Sequence, residues 1–146
     1  MRRCLGARIA ANAEEGSAIV EFTALVVVVV VPLALLGTVL VSLHRASLAT
    51  VTAAREATRA FVTADSSSAA SVRARQAASL ALADQGLVVD SVRVRCLDGT
   101  CLAPGTRVRV TVSAHVQVPF VPGNKQTSVP VSGVHEAVVD TFRSGA

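Results

Sequence analysis

FTALVVVVVVPLALLGTVLVSL, residues 22–43, is a run of 22 residues without a charge, and it decides the class of the molecule. At about 1.5 Å per residue a helix of that length reaches roughly 33 Å, enough to cross a bilayer core of about 30 Å. The run is apolar all round, whereas a core helix of a soluble protein alternates an apolar and a polar face. Val26 to Val31 would favour a strand in water. In lipid a lone strand leaves its backbone groups unpaired, so a helix is expected. Pro32 takes away the hydrogen bond to the Val28 carbonyl and predicts a mild kink. A secretory signal has a shorter apolar stretch ending at a small-residue cleavage site. Here Pro-Leu-Ala-Leu-Leu continues the run, which reads as a retained anchor.

Composition narrows the function classes. The chain has 146 residues, 51% hydrophobic, with four Phe, no Trp and no Tyr. A mean hydropathy of +0.55 is too high for a disordered chain. The net charge of +4 comes from fourteen scattered Lys and Arg with no aromatics between them for bases to stack on, so no nucleic-acid partner is expected. Spacing offers neither a nucleophile–base pair nor a metal set. The expectation is therefore no enzyme, no cofactor and no metal.

Four stretches follow along the chain: a polar leader at 1–16, the membrane helix at 17–43, an Ala-rich helical region at 44–86 and a β-rich domain at 87–146. Leu48, Val51, Ala54, Thr58 and Phe61 recur at spacings of three and four, which predicts a narrow buried stripe, with Arg55, Glu56 and Arg59 pointing elsewhere. Asp65-Ser66-Ser67-Ser68 reads as the cap of a second helix from about Ser68 to Gln85, closed by Gly86. Beyond Gly86 the period becomes two. Val92, Val94 and Cys96 alternate with Arg93 and Arg95, and Val108 to Val118 alternates in the same way. Pro119 to Gln126 is a turn cluster, followed by a third strand over about Ser128 to Asp140 with Pro130 at an edge and Gly133 in a bulge. His115 and His135 read as polar residues on the solvated sheet face. The fold class expected is α+β: an N-terminal transmembrane helix continuing into an extracytoplasmic helix, a second short helix, and a three-stranded antiparallel meander packed on them.

Cys96 and Cys101 bracket Leu97-Asp98-Gly99-Thr100, and Asp-Gly is a tight-turn signal. A disulfide closing a short hairpin loop is the leading reading, against half a zinc site or two free thiols. It would place the C-terminal part outside the cytoplasm. Positive charge does not decide orientation, because Arg2, Arg3 and Arg8 precede the apolar run while Arg45, Arg55 and Arg59 follow it.

The chemistry-bearing residues lie where leader meets membrane: Glu14-Glu15-Gly16-Ser17-Ala18-Ile19-Val20-Glu21-Phe22. A carboxylate at the edge of a long apolar run is costly in the bilayer and less so near its interface. A first-turn Glu favoured by the helix dipole and wetted by headgroups is the plain alternative. The stretch resembles the processing site of type IV pilin-like proteins, where a membrane peptidase cuts after a Gly and a Glu follows five residues into the mature chain. Gly16 and Glu21 have that relation. The fuller pattern Gly-Ser-Ala-Ile-Val-Glu-Phe, then apolar residues and Pro-Leu, is similar to the TadE-like family, pseudopilins of the Tad (tight adherence, Flp pilus) machinery. A second match, Ala53-Ala54-Arg55-Glu56-Ala57-Thr58-Arg59-Ala60, resembles that family's Ala-Ala-Arg-Glu-Gly-Ala-Arg-Ala, with Thr58 and the missing Gly as departures. The resemblance covers about residues 14–60. Glu15 stands where a basic residue would precede the cut.

The resemblance implies a pilin-like fold and a non-enzymatic role assisting pilus assembly. Gly16 and Ser17 would flank the cleaved bond, Glu21 and Phe22 would act in assembly, and Arg55, Glu56 and Arg59 would form the family motif. The partners implied are a prepilin peptidase, other pilins and pseudopilins, membrane platform proteins of the secretion system, and the lipid bilayer. The location implied is the plasma membrane, single-pass, with the N-terminus cytoplasmic. Two other readings remain: a signal-anchored cell-surface binding domain, and a pseudopilin of a type II secretion system.

Overall fold

The computed structural model describes residues 4–118 and 128–142, with side chains from residue 18 onward. The turn cluster at 119–126 and the Ser17 side chain lie outside what is described. The elements are α1 (Cys4–Val62), α2 (Ser67–Ala83), β1 (Val89–Cys96), β2 (Arg107–Gln117) and β3 (Ser128–Val138). The fold is α+β, and the sheet is antiparallel with the strands in chain order. The chain divides into two compact units, Met1–Thr38 and Val39–Ala146.

In the first unit α1 begins at Cys4, so residues 4–16 are helical. Its Ala, Arg, Leu and Glu content gives it the propensity. The helix passes through Pro32 without interruption. The most apolar 18-residue window of α1 has none of its residues buried. By length and composition the helix is able to cross a membrane.

The second unit is built on small side chains. Ala46, Ala49, Thr50, Ala53, Ala54, Ala57, Thr58, Phe61 and Ala64 form the buried face of α1's later turns and the residues after them. Ala70, Ala74, Ala78 and Leu82 do the same for α2. Leu48 and Val51, expected inside, are instead 56% and 46% exposed. The cause is a close backbone approach. A Cβ added at Gly133 of β3 would lie 2.3 Å from the Thr50 carbonyl carbon and 2.4 Å from the Val51 nitrogen. At that contact point only alanine-sized or threonine-sized side chains of α1 fit against the sheet, and Leu48 and Val51 are exposed, while Phe61 is buried further along the helix. Gly133 is therefore a contact point and not the bulge expected from sequence, since β3 pairs with β2 without interruption there. The sheet's one register shift lies between Val89 and Ser91 of β1.

Strand β2 is the centre of the sheet. Val108, Val110, Val112, Ala114 and Val116 are buried, and Arg107, Arg109, His115 and Gln117 are exposed. His135 pairs with Val110 in the register, so it belongs to the helix-covered face and is half-buried, contrary to expectation. His115 is on the outer face, its Nδ1 3.7 Å from an Asp90 carboxylate oxygen. The helix ends follow the sequence more closely. Ser66 caps α2, its hydroxyl accepting from the Ala69 N–H at 3.3 Å. At the other end Gly86 has φ 69°, its N–H donates to Ala83 and the Leu87 N–H donates to Leu82. That pair of bonds is the Schellman closure, which leaves Leu87 packed on the core.

The β1–β2 connection departs from a tight Asp-Gly hairpin. Residues 97–106 form the loop, in which Cys96 and Cys101 are joined as a disulfide with Cα atoms 5.4 Å apart. Asp98 does not make the turn alone. It accepts from Arg107 Nε at 2.7 Å, Arg107 Nη2 at 3.0 Å and the Arg107 backbone N–H at 3.3 Å, tying the loop to the first residue of β2.

Candidate functional site

Within the apolar run the polar side chains are self-contained. Thr23 donates to the Ile19 carbonyl at 2.8 Å, Thr38 to Leu35 at 2.7 Å and Ser42 to Val39 at 2.8 Å. These three are the run's only hydroxyls. Each is satisfied on its own helix, which is what a hydrocarbon environment demands, because an unpaired hydroxyl there has no water to bond. Pro32 leaves the Val28 carbonyl without its usual donor.

Glu21 differs from all of them. It lies one residue before the run, on α1, with its side chain exposed and no hydrogen bond or ion pair to any other described residue. Its neighbours Ile19, Val20 and Phe22 are 68–69% exposed. Among residues 18–25 its neighbours are apolar apart from Thr23. Glu21 thus stands among large exposed apolar side chains with no cation partner among the described residues.

Arg55, Glu56 and Arg59 lie on the exposed face of α1 in the second unit. Among the described residues none of the three forms an ion pair, although Glu56 and Arg59 stand three residues apart on the helix. The sequence reading placed them off the buried stripe, and they are off it. What sequence reasoning missed is their setting: Leu48, Val51 and Thr52 share that outward face. The signal lies in the alanines at 46, 49, 53 and 57, which together with Ala54, Thr58 and Phe61 trace the buried face.

Asp98 and Arg107 were also not singled out from sequence. The Arg107 side-chain hydrogen bond lowers the Asp98 carboxyl below the usual aspartate range, partly opposed by desolvation. This pair braces the disulfide loop and presents no open cleft. Among the described residues no group of three or more His, Cys, Asp or Glu is placed to hold a metal ion. No protein-family model, curated protein or solved structure matches the chain.

Proposed function

We propose that this chain is a non-enzymatic minor pseudopilin: a single-pass membrane protein, leader in the cytoplasm and mixed domain outside, that assists assembly of a Tad-type pilus. The observation that carries the reading is the contrast at the start of the apolar run. Its hydroxyls bond back to their own helix, while Glu21 has no partner among the described residues.

Hydrolysis of the Gly16–Ser17 peptide bond by a prepilin peptidase would expose a cationic α-amine on Ser17. Ser17 and Glu21 are four residues apart, one helical turn, so amine and carboxylate compensate each other within a chain. The same carboxylate reaching the amine of a neighbouring subunit neutralises two charges in lipid and fixes the stagger between subunits. Low dielectric strengthens the pair and raises the cost of leaving either member alone. The resemblance over residues 14–60 supplies the type of machine. The disulfide between Cys96 and Cys101 supports an oxidising, extracytoplasmic location for the C-terminal unit.

The experiment is Glu21→Gln in cells that produce surface fibres. Gln keeps the size of the side chain and removes its charge. The expected result is loss of fibres with the membrane level of the protein unchanged. Normal fibre production would overturn the proposal.

A further inference from the structure

Both edges of the sheet carry backbone groups without a partner among the described residues. The Leu97 N–H donates to the Arg107 carbonyl, so Leu97, Arg95, Arg93 and Ser91 bond toward β2. The backbone groups of Val92, Val94 and Cys96 therefore point away from it. The Val139 N–H donates to the Thr106 carbonyl, and by the same alternation those of Ser132, Val134, Glu136 and Val138 point away from β2 on the other side. Pro130, which has no N–H to offer, falls in this outward set. Open edges of this kind are templates for a further strand.

The two edges differ in charge. Strand β1 carries Arg93 and Arg95, neither in an ion pair among the described residues, and Asp90, which faces His115. On β3 the only Asp, Glu, Lys or Arg is Glu136, and Arg109 engages its Oε1. One row across the exposed sheet face reads Arg95, Arg109, Glu136. Arg95 thus stands directly opposite another arginine, a placement that weakens a sheet, while the acid of the row lies at the far edge. Half-exposed Val134 and Val138 flank Glu136 on that edge, and Leu97, 37% exposed, follows Arg95 on the other.

We propose that β3 of one copy pairs in parallel with β1 of the next, extending the sheet from molecule to molecule. With the rows continued straight across, Glu136 stands beside the next copy's Arg95 and offers it Oε2. Ser132 then meets the next copy's Ser91, Val134 the stem of its Arg93, and Val138 its Leu97. Charge disfavours the symmetric alternatives. Joining β1 to β1 gathers four arginines, and joining β3 to β3 brings two carboxylates together and leaves Arg95 facing Arg109. The contact is therefore head-to-tail, repeats into a row or ring, and keeps the helices of every copy on one side of the sheet. This goes beyond the pseudopilin reading and stands without it, since no part of the contact depends on cleavage at Gly16 or on Glu21.

The test is cross-linking of the full chain in membranes, with Cys4→Ser and the Cys96–Cys101 disulfide kept, so that only introduced thiols are free. Ser91→Cys and Ser132→Cys are placed together in one chain. Strand β2 separates the two positions by about 10 Å, too far for a disulfide within one copy. Mild oxidation is expected to give a ladder of covalent dimers, trimers and larger species. A mixture of the two single-cysteine chains is expected to give dimers only, and each of those chains alone to stay monomeric. Adding Arg95→Glu to the double-cysteine chain is expected to cut the cross-linked fraction roughly tenfold, since a carboxylate then meets Glu136. That change also removes the repulsion between Arg95 and Arg109, so the single copy keeps its fold, which circular dichroism checks. Absence of the ladder overturns the proposal. So does a cross-link within either single-cysteine chain population, or an Arg95→Glu ladder of undiminished strength; each result leaves the Glu21 experiment unaffected.

Discussion

Two glycines on the same helix-rich chain summarise how its two units differ. Gly37, in the first unit, would place an added Cβ in open space, while Gly133, in the second, would drive it into the backbone of α1. The first unit exposes large apolar side chains along the whole described run, and the second hides alanines and valines at close backbone separation. One surface leaves its large apolar side chains uncovered. The other is already packed within itself. Small side chains bury little area each, at roughly 25 cal/mol per Å², so the second unit depends on close fit more than on amount of apolar surface.

The sharpest way to break this contrast is Gly133→Val. Its side chain has no space between β3 and α1, and a loss of about 3 kcal/mol or more is expected from overpacking against a backbone that is unable to yield. Thermal unfolding of the full chain in detergent, followed by circular dichroism, reads the effect. A variant as stable as wild type would mean the close approach is absent. Next in size is removal of the disulfide by Cys96→Ser with Cys101→Ser. Losing a loop this short costs about 2 kcal/mol in the chain-entropy account, seen in the same unfolding measurement as a lower midpoint that reducing agent does not lower further.

Smaller effects belong to the exposed surface. Leu48→Ala is expected to change stability by about 0.5 kcal/mol or less, despite deleting a large apolar side chain, since Leu48 is not in the core. A loss of several times that size would return it to the buried stripe. Smallest is the acid response of the disulfide loop. Arg107's hydrogen bonds depress the Asp98 carboxyl, so the unfolded chain takes up that proton more readily than the folded one. Stability from this pair is then present above the ordinary aspartate pKa of about 3.9 and is lost as pH falls through the lower folded value. Asp98→Asn is expected to flatten that part of the stability–pH curve. Salt is expected to shrink the difference, because the pair is exposed. An unchanged acid limb in Asp98→Asn would count against the pair's contribution.

Much of the fold was legible in residue order. The uncharged run at 22–43 announces its helix, the alternation over 107–117 announces a half-buried strand, and Ser66 and Gly86 mark the ends of α2 by the chemistry of their caps. What stayed hidden was set by contacts distant in sequence. Nothing near Leu48 or Val51 indicates that Gly133 will bring β3 against the backbone of α1, so ranking by hydrophobicity groups these two exposed residues with the buried Ala54, Thr58 and Phe61. His135 was misplaced because alternation in β3 mixes valines on both faces, and only its pairing with Val110 assigns the side. The Asp-Gly signal at 98–99 suggested a tight turn, whereas Asp98 is engaged by Arg107 nine residues later. For the candidate site, the exposure of Arg55, Glu56 and Arg59 follows from helical spacing, while the lack of a partner for Glu21 beside the back-bonded Thr23 is a matter of three-dimensional arrangement.

The account rests most heavily on a maturation event at the start of the apolar run. Its direct measurement is the intact mass and N-terminal residue of a C-terminally tagged chain recovered from membranes of cells that hold a prepilin peptidase, compared with a Gly16→Leu variant. The account predicts a wild-type chain that begins at Ser17 and a variant that retains its leader. A wild-type chain that still carries residues 1–16 would contradict it.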